Sequence, residues 1–285
     1  SLPNPDAVTY GTVMAACEKC GEWNQVLEFA DKMRDTNVSL DGMAITSALH
    51  ACQQLGLAQR AMEYLELMKN VELDRRHTAG RQRVGSRQPL QGPDAVAYRL
   101  AISACARGGE WQAGVRLLDE YTKIDPKDVV AYTAAITGCE YAGEWYFAMQ
   151  LLSRMRSEGA EPNEVTFAAV IGACARACAS LSLELNAKKD IASVPTPQRK
   201  ALQLLSAIRN DASVVKPNLQ VYNAAIRVCA EALDLKRAFQ LLKMLRADGL
   251  DPNVITYGTL MAACERVESM NGVAKVFGMM KAENI

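Results

Sequence analysis

Several features that commonly reveal a protein's function are scarce in this chain of 285 residues. No apolar run approaches the length of about 18 residues that a membrane-spanning helix needs. The 32 basic and 32 acidic residues give a formal net charge of zero, which argues against the strongly basic surface of many nucleic-acid-binding proteins. Histidine occurs only at His50 and His77, and no nuclease carboxylate cluster, zinc deaminase signature or nucleophile constellation is present. The sequence therefore predicts no enzyme, no bound metal and no cofactor.

One phrase that ends in cysteine recurs seven times, as in VTYGTVMAAC near the start and ITYGTLMAAC near the end. Four of the six intervals between successive copies are 34 or 35 residues, and the other two are longer by an insertion. Each of the three tryptophans follows a repeat cysteine by six residues, and most units close on Pro followed by Asp or Asn. The repeat cysteines are Cys17, Cys52, Cys105, Cys139, Cys174, Cys229 and Cys264. This self-similarity predicts a repeat protein.

The nine cysteines could also indicate disulfides or a zinc site. Cys17 and Cys20 form a Cys-x-x-Cys pair, and Cys174 and Cys178 lie one helical turn apart. The repeat cysteines, however, are separated by a whole unit rather than paired. Small thiols buried on packed helices account for them better, and a reducing compartment follows from that interpretation.

The unit boundaries fall just after each Pro-Asp or Pro-Asn or its equivalent. Residues 1–6 resemble the end of a preceding unit, and the last unit stops at Ile285 before its closing turn, so we expect a longer array. The seven units are 7–41, 42–94, 95–128, 129–163, 164–218, 219–253 and 254–285.

Within each unit, apolar residues recur at helical spacing in two stretches. Glycines such as Gly21 and Gly143 separate the stretches in a left-handed turn, and proline ends the second one. Two antiparallel helices cannot bury their apolar faces alone, so neighbouring hairpins stack. The sequence therefore predicts an all-α fold, a right-handed α-solenoid superhelix of stacked antiparallel helical hairpins. Aromatic residues on one face of the first helices, such as Tyr132 and Tyr222, are interpreted as packing between helices rather than as a stacking platform for bases.

Two units are longer than the others. The first insertion, at about 71–92, follows the second helix of its unit and contains five arginines, which predicts a mobile basic loop. The second, at about 178–196, separates the two helices of its unit. Insertions of this kind are expected on the surface of the array.

The unit resembles the pentatricopeptide repeat of the P type: V-T-Y-N-x-L-I-x-A-C, then Gly, an amphipathic second helix, Met, and G-x-x-P-D or P-N. The resemblance covers nearly the whole chain outside the insertions, and 249–257 match it most cleanly. Tetratricopeptide repeats are the nearest alternative, but their Trp-Leu-Gly signature is absent. The repeated Gly-Glu-Trp is similar to algal or protist members. The last two units also resemble, less strongly, plastid factors that mature the transcript of the large subunit of RuBisCO.

This resemblance implies selective binding of single-stranded RNA, with about one base per repeat, in a chloroplast or mitochondrion, the chloroplast being favoured. A transit peptide is expected to lie outside this chain. In the family the bases are recognised by the fifth and the last residue of each unit, here called the base-recognition positions. They are Gly11 with Asp41, Thr46 with Asp94, Arg99 with Asp128, Thr133 with Asn163, Ala168 with Asn218, Asn223 with Asn253, and Gly258 without a partner.

Three of these pairs match combinations that are usual in the family. Thr46 with Asp94 implies guanine, Thr133 with Asn163 adenine, and Asn223 with Asn253 a pyrimidine. The fifth residues of the other units, which include Arg99, depart from the usual types. The implied RNA is N-G-N-A-N-Y from 5′ to 3′.

Two further sets of residues fit RNA binding. The second residue of most units is aliphatic and in the family lies between bases. These sandwich positions are Val8, Met43, Val96, Val130, Val165 and Ile255. Unit six has the polar Gln220 at this position instead. The residue two after the repeat cysteine is cationic in four units and could contact phosphate; these phosphate positions are Lys19, Arg107, Arg176 and Arg266. Solvated charges near helix C-termini are the alternative interpretation.

The favoured function is non-catalytic, sequence-selective binding of single-stranded RNA that stabilises an organellar transcript or guides its processing. The alternative is a structural subunit of an organellar ribosome or another ribonucleoprotein assembly, and a protein-only adaptor ranks third. The expected partners are single-stranded RNA and ribonucleoprotein or ribosomal proteins, with no membrane span and no small-molecule substrate.

Overall fold

The computed structural model describes residues 5–36, 38, 40–77, 92–184, 196–210 and 216–283. Within these ranges the chain forms fourteen α-helices and no β-strand, which confirms the predicted all-α fold of helical hairpins. The helices are α1 (Ala7–Cys20), α2 (Trp23–Asp35), α3 (Gly42–Leu55), α4 (Ala58–His77), α5 (Ala95–Arg107), α6 (Trp111–Tyr121), α7 (Val129–Ala142), α8 (Trp145–Ser157), α9 (Glu164–Glu184), α10 (Pro197–Asn210), α11 (Leu219–Glu231), α12 (Leu235–Ala247), α13 (Val254–Arg266) and α14 (Met270–Ala282). Odd-numbered helices are the first helices of the hairpins and even-numbered helices the second ones.

Each first helix begins after an Asp or Asn that caps it. The side-chain oxygen of this residue accepts a hydrogen bond from the backbone N–H three residues later, which satisfies a donor that the helix itself leaves unpaired. The capping residues are Asp6, Asp41, Asp94, Asp128, Asn163, Asn218 and Asn253. The residue that closes each unit therefore starts the next one.

In six of the seven hairpins, the turn between the two helices has a left-handed residue four positions after the repeat cysteine. Glycine fills this position in four units, as predicted, with φ between 68° at Gly56 and 80° at Gly109. In two later units the same position is held by Leu233 (φ 58°) and Glu268 (φ 53°), although side chains beyond glycine disfavour this conformation. The turn is therefore imposed by the packing of the hairpin even where the residue opposes it.

The core of most hairpins contains the repeat cysteine and the residue at the fourth position of the unit, which is aromatic in every unit except the second, where it is Ile45. Tyr132, Tyr222 and Tyr257 are fully buried, which confirms that these aromatics pack between helices. All the repeat cysteines except Cys17 are buried as free thiols, as predicted. Pairs of apolar residues such as Leu151 and Leu152 complete the core from the second helices.

The chain divides into two compact parts, residues 1–138 and 139–285. In the first, each of α1 and α3 packs against its own second helix and against the next first helix. In the second, α9 packs against its own second helix α10 and against the next first helix α11. Helix α11 packs in the same way against α12 and α13. No described helix is long and apolar enough to cross a bilayer.

Helices continue into the first residues of both predicted insertions. Helix α4 continues to His77, because 71–77 contain good helix formers and neither glycine nor proline. Helix α9 continues to Glu184, because its unit has Cys178 in place of the glycine that ends the other first helices. The first insertion is thus helical rather than a loop over 71–77; its remaining residues up to 91, and 185–195 of the second, lie outside the described residues.

Candidate functional site

The sandwich positions form a periodic set of exposed apolar side chains. Each is the second residue of a first helix, and their exposed fractions run from 44% at Val96 to 67% at Val8. Such exposure is unusual for aliphatic side chains that recur at one position of every unit. Because residues three apart share a face of a helix, each sandwich residue lies on the same face as the fifth residue of its unit.

The fifth residues differ in what they present. Thr46 and Thr133 are half-buried, and the Thr46 hydroxyl donates to the backbone oxygen of Gly42 at 2.8 Å. Gly11 and Gly258 have open space where a side chain would begin. Ala168 is buried and offers no polar group. A polar side chain capable of base recognition is therefore present in only some of the units.

In units three and six the structure brings the fifth and last residues of one unit into contact. Arg99 Nε donates to Asp128 Oδ2 at 2.6 Å, and Asn223 Nδ2 donates to Asn253 Oδ1 at 3.5 Å. In unit two, by contrast, Asp94 bonds locally as the cap of α5. Pairing across a unit therefore depends on the particular side chains.

Most of the phosphate positions interact with neighbouring units. Arg107 Nη1 donates to Gln54 Oε1 at 3.0 Å, and Arg266 forms an ion pair with Glu231. Lys19 is exposed. In both bonded cases the partner is the residue at the same position of the preceding unit, so each bond links two adjacent first helices.

Arg176 lies in a different environment. Its guanidinium stacks 5.6 Å from the centre of the Tyr141 ring, and its buried Nε has no acceptor among the described residues. Burial raises the pKa of the nearby Glu140 carboxyl, and the positive charges of Arg176 and Arg227 oppose that rise. Arg176 is thus the phosphate position that contacts the preceding unit through an aromatic ring rather than through an acceptor.

Sequence reasoning missed two residues that organise these sites. Tyr121 donates its hydroxyl to Asp128 Oδ2 at 2.8 Å, and the Thr256 hydroxyl lies 2.6 Å from Asn223 Oδ1. Thr256 could have been found, because Asn253 and a hydroxyl three residues later form a capping box, which the structure contains. Tyr121 carries no such local signal.

Models of the pentatricopeptide repeat match more than half of the chain. The pentatricopeptide repeat domain matches residues 25–74, 209–266 and 245–285, the PPR repeat family matches 127–176, and the PPR repeat matches 8–38. The chain belongs to the pentatricopeptide repeat family. The all-α repeat solenoid expected from the sequence is the fold of this family, and the handedness of its superhelix stays a prediction.

Relatives of this pentatricopeptide repeat chain occur in Arabidopsis thaliana. One pentatricopeptide repeat-containing protein is 24% identical over an aligned length of 137 residues, and the alignment covers 42% of this chain and 18% of the relative. A second, described as chloroplastic, is 31% identical over 71 residues, which are 25% of this chain and 7% of the relative. The chain thus spans less than a fifth of the length of either relative. Neither match shows the weaker likeness to factors that mature the RuBisCO transcript.

A solved structure has the same fold. The pentatricopeptide repeat protein PPR10, in complex with an 18-nucleotide psaJ RNA element, superposes with a TM-score of 0.54 at 16% sequence identity. The superposition covers 99% of this chain and 41% of that chain. At this identity the likeness shows a shared fold.

Proposed function

We propose that this chain binds single-stranded RNA in a sequence-selective manner. The observation that carries the proposal is the exposed aliphatic side chain at the second position of six first helices, with a base-recognition position one helical turn further on the same face. An unstacked base offers two apolar faces and a polar edge. A sandwich residue suits the faces, and a threonine, asparagine or arginine three residues later suits the edge.

The proposed role is non-catalytic. Occupation of a single-stranded stretch would exclude exonucleases or keep the RNA unfolded, and so stabilise an organellar transcript or guide its processing. A relative described as chloroplastic and a structural neighbour solved with RNA support this role.

The experiment that tests the proposal removes apolar surface from the sandwich positions. Val130→Ser and Ile255→Ser are expected to weaken binding to RNA selected from a random single-stranded pool by about 10-fold each, as loss of base stacking contacts does. Both side chains are more than half exposed, so the free energy of unfolding is expected to change little.

The matched control is Ile124→Ser, because Ile124 is 67% exposed but follows a second helix. Equal losses of affinity in all three variants, or none in any, would contradict the proposal.

A second candidate function, a structural subunit of a ribonucleoprotein assembly, is favoured by the charge balance of the chain. The net charge is zero and Arg266 forms an ion pair with Glu231, which reduces the positive charge available for phosphate. Co-purification with ribosomal proteins, together with no measurable affinity of the isolated chain for the random RNA pool, would support this function instead.

A further inference from the structure

Unit three differs from the other units in having an arginine at its fifth position. Arg99 lies on α5 and is held by the last residue of its own unit, through a hydrogen bond of 2.6 Å from Nε to Asp128 Oδ2. This bond raises the pKa of the Arg99 guanidinium, which is therefore charged at every physiological pH.

The carboxylate that holds Arg99 is itself fixed. The Asp128 side chain is only 2% exposed, and its Oδ1 accepts hydrogen bonds from the backbone N–H groups of Val130 and Ala131 at 2.9 and 3.1 Å. Its Oδ2 also accepts the Tyr121 hydroxyl at 2.8 Å. Four donors on one buried carboxylate leave it no alternative position, so Asp128 is a rigid anchor.

The hydrogen bond to the anchor uses the Nε atom of the guanidinium. The Arg99 side chain is 37% exposed, and its two Nη nitrogens have no acceptor in the part of the chain that the structure describes. Val96, the sandwich residue of the unit, is one helical turn earlier on the same face and is 44% exposed. An oriented pair of N–H donors is thus placed beside the apolar surface that a base would contact.

We propose that unit three selects guanine, with Arg99 as the specificity-determining residue and Asp128 as its positioning residue. The proposal rests on the proposed function of RNA binding. Guanine presents O6 and N7 as adjacent acceptors, which match the two outer N–H groups of a guanidinium. Adenine and uracil offer no such pair. Cytosine offers N3 and O2 on its Watson–Crick edge, but the O6 and N7 pair of guanine is the base contact that arginine makes most often. Enrichment of cytosine instead of guanine would overturn the assignment. Because the side chain is already ordered, little rotamer entropy is lost when the base binds.

The same donor pair also matches two oxygens of a phosphate group, which every nucleotide carries. The two sources of this chemistry predict different results. A contact with guanine acts at one position of the RNA and depends on the base, whereas a contact with phosphate acts on all sequences equally and reduces the salt dependence of binding.

The test compares four variants of the full chain for binding to a fully randomised pool of single-stranded RNA, followed by sequencing of the bound RNA. The wild type is expected to enrich guanine at one position next to the position assigned to Thr133. Arg99→Lys keeps the charge but loses the planar pair of donors, and Asp128→Asn keeps a capping side chain but loses the charged anchor. Both are expected to reduce the preference for guanine at that position by about 10-fold while the enrichment elsewhere is retained.

Arg116→Gln is the matched control, because it removes an exposed arginine from the second helix of the same unit. If Arg99→Gln lowers the affinity for all RNAs equally and reduces the salt dependence of binding, Arg99 contacts phosphate and does not select guanine. Arg99→Gln with unchanged binding would reduce the pair to a structural bridge and overturn the proposal. If the wild type binds no RNA at all, the proposed function itself is refuted.

Discussion

Asn223 Nδ2 lies 3.5 Å from Asn253 Oδ1, although the two residues are 30 positions apart. The Thr256 hydroxyl lies 2.6 Å from Asn223 Oδ1 and 3.0 Å from Asn253 Oδ1. The fifth and last residues of unit six are therefore ordered around one threonine before any ligand arrives. A site ordered in this way loses less entropy on binding.

Asn223→Thr gives unit six the same pair of base-recognition residues as unit four. If the resemblance to the family carries over, the base preferred opposite unit six changes from a pyrimidine to adenine, with a shift in relative affinity of about 10-fold. The measurement is the Kd for two RNAs that differ only at that position. Asn24→Thr on the second helix α2 is the control, and an unchanged ratio of the two Kd values in Asn223→Thr would show that this residue recognises no base.

Leu233→Gly is expected to stabilise the protein. Leu233 has a φ of 58°, which costs a residue other than glycine about 1–2 kcal/mol, and its side chain is half exposed, so little burial is lost. The greater freedom of glycine in the unfolded chain offsets part of this gain, which leaves about 0.5–1 kcal/mol. Urea unfolding measures the change, and Gly21→Ala at the same turn of unit one is expected to destabilise by a similar amount. A lower stability of Leu233→Gly would refute the assignment of strain.

Gly108→Ala is expected to destabilise the protein by about 1–3 kcal/mol. A Cβ atom at this position would lie 2.4 Å from the backbone oxygen of Gly56, at the contact between the ends of α3 and α5. Gly11→Ala is the matched control, because nothing lies within 4 Å of its added Cβ and alanine favours the helix by up to about 1 kcal/mol. Thermal unfolding is expected to give a lower melting temperature for Gly108→Ala and a higher one for Gly11→Ala than for the wild type. Shifts in the same direction would contradict the close contact between Gly108 and Gly56.

The anchor at Asp128 should make part of the stability sensitive to acid. Burial raises the pKa of its carboxyl, but hydrogen bonds from Arg99 and Tyr121 outweigh burial, so the folded-state pKa lies below the ordinary value. A depressed pKa contributes stability above the unfolded-state pKa of about 4, and this contribution is lost as the pH falls through the folded-state value.

Asp128→Asn should therefore be less stable than the wild type by about 1 kcal/mol at pH 7, because the exposed half of the ion pair is screened by solvent. The difference should shrink as the pH falls below about 4. Free energies of unfolding at neutral and acidic pH measure it, and a difference that is constant across this range would exclude the linkage.

The cysteines are expected to differ sharply in reactivity. Burial raises the pKa of the Cys139, Cys174 and Cys229 thiols to about 12, whereas Cys20 is exposed. At pH 8 a thiol with such a pKa holds only about one thiolate in ten thousand molecules, in addition to being inaccessible. Iodoacetamide should therefore label Cys20 in the native protein and the three buried thiols only after denaturant is added, as mapped by mass spectrometry. Labelling of Cys139 at the rate of Cys20 would mean that the hairpins open.

Much of the fold could be predicted because the repeat supplies each signal several times. The turn glycines, the buried fourth-position aromatics and the packed cysteines follow from spacing alone. The exceptions occur where one copy differs: Cys178 stands at a turn position, and α9 therefore runs on. Left-handed Leu233 could not be foreseen, because its turn is imposed by tertiary packing.

The site was less predictable, because it depends on contacts between residues that are distant in sequence. The bond between Arg99 and Asp128 spans 29 positions, and Tyr121 joins it from a third element. The resemblance to the family named both residues as base-recognition positions. It did not predict that they bind each other, because arginine is unusual there.

One consequence follows from the way in which the units are joined. The closing residue of every unit is also the N-cap of the next first helix, and only Asp, Asn, Ser, Thr and, less well, Gly serve that purpose. Only a few residue types can therefore occur at this position, since most others would destabilise the first turn of the next helix. Under the proposed function, diversity in target sequence then arises mainly at the fifth position, where glycine, alanine, threonine, asparagine and arginine occur in this one chain.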